Sequence, residues 1–291
     1  LTTTVMACQK PVIIAPAMNT KMYENPILQD NLKKLRNYGY EIIAPASGHL
    51  ACGTSGAGKM PSEEVLVVHI ERQIAREKDL AGKKVLVTAG PTIEAIDPVR
   101  YISNHSSGKM GYAIAKAAML RGAEVTLITG RTSLEPPMFV HTVPITNAAQ
   151  MYEEVMARKD DQDIIIKAAA VADYTPADVS DEKVKKKDED MAIRLVRTKD
   201  ILKTLGSNRK EGQFLCGFSM ETQNMLENSR GKLKKKNIDM IVANNLKEAG
   251  AGFKTDTNIV TFITEKEEKQ LQKMTKDQVA DELLDFISER M

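Results

Sequence analysis

The sequence contains no tryptophan, few aromatic residues and few cysteines. Aromatic residues make up 4% of the 291 positions, and the three cysteines, Cys8, Cys52 and Cys216, are widely spaced. An odd and scattered set of cysteines argues against a disulfide framework and favours a reducing compartment, so we expect a cytoplasmic protein. No apolar run approaches the roughly 18 residues of a membrane-spanning helix. The chain begins with Leu1 and no signal peptide, and we expect it to be part of a longer protein.

An excess of charge of either sign is also missing. The 41 basic and 39 acidic residues leave a formal net charge of +2. This balance gives no reason to expect a nucleic-acid or membrane partner, so any cationic site must be local. A hydrophobic content of 42% and a charged content of 27% are those of an ordinary globular protein, and the length suits two domains.

The chain changes character at the short polar segment 77–82, which ends in glycine. Beyond it, apolar runs alternate regularly with helical patterns, which predicts a doubly wound, mostly parallel sheet covered on both faces. We therefore predict an α/β fold with domains at 1–78 and 79–291. Strands are expected near 84–89, 124–129, 163–169, 214–218, 238–243 and 258–263, and helices near 109–121, 147–158, 199–206, 223–236 and 276–289. The strand near 258–263 should form an edge hairpin with 266–270.

The segment 84–115 carries the most specific local pattern. A short apolar strand ends at Gly90-Pro91, a long polar turn follows, and an alanine-rich helix begins near Lys109. A strand, a glycine-bearing loop and a helix N-terminus together form a typical anion site. The turn lacks the G-x-G-x-x-G spacing of a dinucleotide-binding fold, which disfavours a nicotinamide-dependent oxidoreductase.

Several other residues are candidates for ligand binding, and each also has an ordinary structural interpretation. Asp173 follows a strand end and suits a metal ion or phosphate, although such residues often cap helices. Lys183 lies in the charged segment 178–190, either a solvated loop or a lid that closes over a triphosphate. Lys232 and Lys236 lie four residues apart on a basic helix face, which favours an anionic partner but also fits a plain surface helix. Phe218 ends a strand and either packs in the core or contacts a base.

Three motifs carry a resemblance to known enzymes. TAGPT followed by DPVRYISNHSSGKMG (88–111) resembles the start of phosphopantothenate–cysteine ligases of coenzyme A biosynthesis. PAMNTKMY (16–23) and ACGTSGAGKM (51–60) resemble the end of phosphopantothenoylcysteine decarboxylases. Their order is that of the bifunctional bacterial family, which implies a Rossmann-like ligase domain preceded by the C-terminal part of a flavodoxin-like flavoprotein domain.

The resemblance implies a ligation in two steps. The carboxylate of 4'-phosphopantothenate attacks the α-phosphate of CTP with Mg²⁺ or Mn²⁺, and cysteine then displaces CMP from the acyl-cytidylate. Asn104 resembles the residue that holds the carboxylate and the intermediate, and Arg100 lies on the substrate-phosphate side. The implied nucleotide-binding residues are Lys167, Ala168, Ala169, Asp173, Lys183, Lys199, Asp200, Ile201, Leu202, Phe218, Lys232 and Lys236. At Lys199-Asp200 the family usually has Pro-Asp.

For the decarboxylase half, the resemblance implies that Asn19 holds a substrate carboxylate. It also implies that Cys52 donates a proton in the last step, after FMN has oxidised the cysteinyl thiol of the substrate and CO₂ has been lost. Asn19 is otherwise an ordinary turn residue, and Cys8 and Cys216 are best interpreted as small buried hydrophobes. The family's active-site histidine and much of its FMN pocket lie N-terminal to this sequence. We therefore predict poor FMN binding and no decarboxylation, which stoichiometric bound flavin or CO₂ release from phosphopantothenoylcysteine would refute.

The resemblance further implies a homo-oligomer, with ligase dimers and, in the full-length protein, decarboxylase trimers. Two other functions remain open from the residues. One is a flavoprotein-like regulatory subunit without catalysis, which the complete ligase motif disfavours. The other is the NAD(P)-dependent oxidoreductase, which NAD(P)H fluorescence would reveal.

Overall fold

The computed structural model describes residues 1–50, 53–185, 191–221, 225–245 and 255–291. The chain forms two compact units, Leu1–Glu77 and Lys78–Met291. Among the described residues, none of the helices has the length and apolar character required to cross a membrane.

The first unit has short elements and little core. Its helices are α1 Thr2–Ala7, α2 Thr20–Tyr23, α3 Pro26–Asn37 and α4 Glu63–Ile74, and its strands are β1 Ile13–Ile14, β2 Glu41–Ile42, β3 Ala46–His49 and β4 Ser55–Lys59. The β1 and β2 strands pair in parallel, and β3 pairs with β4 as a hairpin. Helix α3 begins at Pro26, because the Asn25 side chain accepts a hydrogen bond from the Ile27 N–H (2.9 Å) and proline suits the first helical position.

The second unit is built on one large sheet. Its strands are β5 Lys84–Ala89, β6 Ile93–Ala95, β7 Tyr101–Ser103, β8 Glu124–Thr129, β9 His141–Pro144, β10 Ile164–Lys167, β11 Tyr174–Pro176, β12 Leu195–Arg197, β13 Phe214–Glu221, β14 Met240–Asn245, β15 Thr257–Asn258, β16 Val260–Ile263, β17 Glu268–Gln270 and β18 Met274–Thr275. Its helices are α5 Lys109–Leu120, α6 Ala148–Arg158, α7 Ile201–Ser207, α8 Met225–Lys236 and α9 Lys276–Ser288, with a 3-10 turn at Lys159–Asp161.

The large sheet has the order β17-β16-β14-β13-β10-β5-β8-β9. The pairs from β14 through to β9 are parallel, whereas β16 and β17 are antiparallel at one edge. The chain starts at β5, moves to β8 and β9 on one side, and then crosses to β10 on the other. This is the doubly wound order, so the predicted fold class and the edge hairpin are confirmed.

Alternating side chains along the central strands supply both halves of the core. Val85 and Val87 face one side, where α5 and α9 cover the sheet, and Leu86 faces the other, where α6, α7 and α8 cover it. All three residues of the run Ile164–Ile166 are buried. Each such side chain contributes roughly 1.5–3 kcal/mol relative to exposure, so this apolar strand specifies a position in the middle of the sheet.

Candidate active site

A cavity opens where the strand order reverses, at the carboxyl ends of β5 and β10. The residues after these strands stay together: the Ala170 N–H donates to the Gly90 carbonyl (3.0 Å), and the Thr92 N–H donates to the Ala170 carbonyl (3.3 Å). Gly90 makes the turn in the left-handed region (φ +73°), which favours glycine. The cavity has a volume of about 480 Å³. Ligands of doubly wound sheets bind at such switch points.

The first turn of α5 forms one wall of this cavity. Its N-cap is Gly108, which provides no side-chain cap, and Ser106, Ser107 and Lys109 line the same wall. Gly111 lets the helix lie against β5, because an added Cβ there would stand 2.6 Å from the Ala89 Cβ and 3.0 Å from the Thr88 carbonyl oxygen. The sequence therefore brings a helix N-terminus to the cavity, where it favours an anion.

Asn104 lines the cavity on the loop before α5. Its Nδ2 donates a hydrogen bond to the Ala170 carbonyl oxygen over 2.9 Å. A carboxamide nitrogen carries two hydrogens, so this bond fixes the side chain and leaves a second donor for a ligand. The arrangement suits a carboxylate held next to the Ala168–Ala170 backbone.

Three of the sequence candidates lie on the wall formed by the central strands. Lys167 ends β10, Asp173 follows it on the loop, and Phe218 lies in β13 against the core; all three line the cavity. Burial, together with the nearby charge of Lys236, lowers the pKa of Lys167 to about 8. An anionic ligand would raise this pKa again and keep the ammonium charged.

The basic helix α8 supplies Lys232 and Lys236 to the same cavity. The Lys236 ammonium pairs with the carboxylate of Asp200 (2.9 Å), which is the N-cap of α7, and the Lys232 ammonium donates to the Ser219 hydroxyl (3.1 Å). Asp200 therefore does not line the cavity; it contributes to the site by pairing with Lys236.

Of the remaining candidate nucleotide-binding residues near α7, one lines the cavity and two do not. Leu202 lines the cavity, whereas Ile201 is buried in the core beneath the sheet. Lys199 is exposed and stands over the ring of Tyr152, 4.7 Å from its centroid. A backbone contact from 199–202 to a ligand stays a prediction.

Arg100 and Lys183 are near each other but do not line the cavity. The Arg100 guanidinium forms a two-pronged ion pair with Asp97 (2.9 and 2.5 Å) and donates to the Val184 carbonyl (2.7 Å). Asp97 also accepts from the Val184 N–H (3.1 Å). These bonds attach the segment that carries the exposed Lys183 to the turn that carries Arg100.

The Asp97 carboxylate should make the second unit sensitive to acid. The Arg100 guanidinium and three backbone N–H groups hold the pKa of Asp97 well below its ordinary value. Because the folded pKa is lowered, the stabilisation is complete above the unfolded pKa of about 4 and is lost as the pH falls below it. We expect Asp97→Asn to lower the melting temperature at pH 7 and to flatten its decline below pH 4, measured by circular dichroism. If the melting temperature of the variant fell below pH 4 as steeply as that of the wild-type protein, this prediction would be wrong.

Several residues that line the cavity are not predicted by the sequence motifs. Lys109, Asn244, Asn258 and Lys276 all face the cavity, and the last three are at least nine-tenths buried. One signal was present for the two lysines: each is the first residue of a helix, where the dipole disfavours a cation unless an anion is near.

The described residues offer no cluster of three or more His, Cys, Asp or Glu side chains that could hold a metal ion. Mg²⁺ usually needs only one or two carboxylates when substrate phosphates supply the other ligands. Asp173 is an exposed carboxylate on the cavity wall and fits such a role, which stays a prediction.

The first unit has a separate cavity of about 450 Å³, lined by Met18, Asn19, His49, Leu50, Gly58, Lys59 and Met60. The Asn19 side chain caps α2 by accepting a hydrogen bond from the Lys21 N–H (2.9 Å), so Asn19 has a structural role whether or not it also binds a ligand.

Cys52 lies outside the described residues. Cys216 is buried, and this burial raises its thiol pKa. The expectation that Cys8 is buried is wrong: it is exposed, because α1 before it buries no residue.

Comparison with known families agrees with this geometry. Residues 80–291 match the family described as "DNA/pantothenate metabolism flavoprotein C-terminal domain", and residues 1–75 match the family "Flavoprotein". The C-terminal domain of the coenzyme A biosynthesis bifunctional protein CoaBC has a similar crystal structure (TM-score 0.63, 45% identity), covering 74% of this chain and 98% of that one.

Two curated relatives align along nearly the whole chain. The CoaBC protein of Bacillus subtilis (strain 168) is 49% identical over 292 residues, which cover 99% of this chain and 72% of the relative. A cysteine/cysteine sulfinic acid decarboxylase from an unknown prokaryotic organism is 43% identical over 98% of this chain and 81% of its own. The chain therefore belongs to the DNA/pantothenate metabolism flavoprotein family, whose members include the bifunctional coenzyme A biosynthesis proteins of the CoaBC type.

Proposed function

We propose that the second unit is a phosphopantothenate–cysteine ligase that uses CTP and acts in cytoplasmic coenzyme A biosynthesis as a homo-oligomer. The observation that carries the proposal is the single cavity lined by Asn104, Asp173 and Lys236. One wall offers an amide for a carboxylate, and the others offer ammonium groups and a helix N-terminus for phosphates. A carboxylate and a nucleoside triphosphate can therefore be held side by side.

In the first step, a substrate carboxylate oxygen attacks the α-phosphorus of CTP, and the bond to the bridging oxygen breaks as pyrophosphate leaves. The fixed amide of Asn104 orients the carboxylate, and Lys167, Lys232 and Lys236 neutralise the phosphates. Mg²⁺, when bound with Asp173 and the triphosphate, would supply further charge neutralisation. Positioning and preorganised charge account for such a reaction without a protein nucleophile.

In the second step, the amine nitrogen of cysteine attacks the acyl carbon, the bond to the phosphate oxygen breaks, and CMP leaves. Asn104 again holds the acyl group beside the Ala170 carbonyl. Because the same side chains bind substrate and intermediate, the acyl-cytidylate can remain in place until cysteine arrives, away from hydrolysis by bulk water.

Pyrophosphate release tests the proposal. We expect release only when CTP and 4'-phosphopantothenate are both present, and amide formation only after cysteine is added. ATP in place of CTP tests base preference. Pyrophosphate release that does not require both substrates would contradict the proposal, as would the absence of release under every combination. CO₂ release from cysteine alone would instead favour the activity named for the decarboxylase relative.

Lys183 is proposed to act on the departing pyrophosphate from the segment that Asp97 and Arg100 hold. We expect Lys183→Gln to slow the first step by about 10²–10³-fold, since removing one preorganised charge-stabilising donor has effects of this size. Exchange of labelled pyrophosphate into CTP measures that step alone. Lys185→Gln is the matched control, because this neighbouring lysine is also exposed; a normal exchange rate in Lys183→Gln would contradict the role.

The first unit is proposed to be part of a decarboxylase domain that uses FMN in the full-length protein. Among its described residues, Leu32, Ile43 and Leu50 are the only buried apolar side chains larger than alanine or proline, and α4 buries none; poor FMN binding by this unit stays a prediction. No step is assigned to FMN, and the roles of Asn19 and Cys52 stay predictions.

A further inference from the structure

Thr92 lies behind the wall of the cavity, between the loop that carries Asn104 and the loop that carries Asp173. It follows the turn at Gly90-Pro91, is completely buried, and does not itself line the cavity. Buried polar groups in proteins are almost always paired. The partners of Thr92 therefore show what this residue holds in place.

The backbone of Thr92 holds the loop that carries Asn104. The Thr92 carbonyl oxygen accepts a hydrogen bond from the hydroxyl of Ser103, the residue before Asn104 (2.8 Å). The Thr92 N–H donates to the Ala170 carbonyl oxygen (3.3 Å), which is the same oxygen to which the Asn104 Nδ2 donates (2.9 Å). Thr92 and Asn104 are therefore aligned on one carbonyl group, and Thr92 uses only backbone atoms for these contacts.

The side chain of Thr92 holds the loop that carries Asp173. Its Oγ1 accepts a hydrogen bond from the N–H of Ala172, the residue before Asp173 (3.0 Å). From a separate segment, the Thr198 hydroxyl donates to the Ala172 carbonyl (2.7 Å), and the Thr198 N–H donates to the Asp173 carbonyl (3.0 Å). The backbone next to Asp173 is thus held by two threonine hydroxyls.

We propose that Thr92 is a positioning residue that sets the distance between the substrate carboxylate at Asn104 and the phosphates at Asp173. The inference rests on the proposed ligase function and adds a residue behind the wall of its site. Attack of a carboxylate oxygen on phosphorus requires the two groups to be almost in contact, and a misplacement of about 1 Å can slow such a step about 10²-fold. Because Thr92 is bonded to both loops, it fixes this distance.

Variants at position 92 separate the contribution of the side chain from that of the backbone. Thr92→Val keeps the shape but removes the acceptor for the Ala172 N–H, so we expect exchange of labelled pyrophosphate into CTP to slow about 10–100-fold. Amide formation from acyl-cytidylate that has already formed should fall much less, because the backbone contacts to Ser103 and Ala170 remain. Thr92→Ser keeps the hydroxyl and should restore most of the exchange. Thr126→Val is the control, since Thr126 is a partly buried threonine of β8 that does not line the cavity.

The opposite pattern is expected at Ser103. Ser103→Ala removes the bond to the Thr92 carbonyl beside Asn104, so amide formation should slow about 3–10-fold, the rate equivalent of one hydrogen bond. Pyrophosphate exchange should change little in this variant. A merely structural effect would lower the melting temperature and slow both steps alike, so the two variants together distinguish positioning from loss of stability.

Several outcomes would overturn the inference and leave the ligase proposal intact. These are normal exchange in a folded Thr92→Val protein, equal slowing of both steps in it, and exchange that is as slow in Thr92→Ser as in Thr92→Val. A wild-type protein that never releases pyrophosphate overturns the ligase proposal itself. If Thr92→Val does not fold, Thr198→Val replaces it, because this change removes the other hydroxyl bonded to Ala172; exchange at the wild-type rate in Thr198→Val then overturns the inference.

Discussion

Asn104→Asp is expected to reduce amide formation by about 10²–10³-fold while sparing much of the activation step, because in the proposed mechanism the acyl intermediate depends on the Asn104 amide as a hydrogen-bond donor. Asp has no N–H, so one of its oxygens would face the Ala170 carbonyl oxygen, to which the Asn104 Nδ2 now donates over 2.9 Å. Two acceptors at this distance repel each other, and the variant has no N–H with which to hold the acyl group of the proposed intermediate.

Single-turnover rapid quench separates the two steps. We expect labelled pyrophosphate to appear and the acyl-cytidylate to accumulate in the variant, with little amide after cysteine is added. The matched control is Asn147→Asp at the N-cap of α6, where the side chain only accepts a bond from the Gln150 N–H (2.9 Å) and Asp can do the same. Amide formation at the wild-type rate in the Asn104 variant would show that this donor is not needed.

The largest expected effect on stability comes from Gly206→Ala in α7. A Cβ at this position would stand 1.7 Å from the Lys236 carbonyl oxygen and 2.8 Å from that of Asn237, both at the end of α8. Neither carbonyl is on a flexible side chain, so the helices must separate. We expect a loss of about 1–3 kcal/mol or more in the free energy of unfolding, and weaker CTP binding because Lys236 lines the cavity.

Chemical denaturation and CTP titration measure the two effects. The sign of the change in the free energy of unfolding is informative, because in an exposed helix the replacement of glycine by alanine stabilises by roughly 1 kcal/mol. Ser207→Ala in the next position is the control: Ser207 is exposed and its hydroxyl only donates to the Lys203 carbonyl (3.0 Å). An increase in stability for Gly206→Ala would mean that α7 and α8 do not approach as closely as the structure shows.

Most of the main sheet could be predicted because its strands are continuous apolar runs. Ile164–Ile166 and Val85–Val87 have few alternatives to burial. The edge strand β9 was not predicted, since His141–Pro144 is short and contains proline, which is tolerated at an edge but is no strand signal. The pairing of β11 with β12 was also missed, because a long charged segment separates Tyr174–Pro176 from Leu195–Arg197.

The candidate site could be predicted only in part. Asn104, Asp173 and Lys236 were identified from motifs, and they line one cavity. Lys276 was missed because it looks like an ordinary surface lysine in a terminal amphipathic helix. Its burial follows from the packing of α9 on α5 and from the position of Asp256, which no local pattern encodes.

The sequence alone determined the order of strands and helices, because each depends on the spacing of apolar residues and on capping and turn residues close in the chain. It also determined which family the motifs belong to. Only the tertiary structure decided which side chains share a cavity. The crossover from β9 to β10 brings the ends of β5 and β10 together, and the charge at a site depends on distances between residues that lie far apart in the sequence.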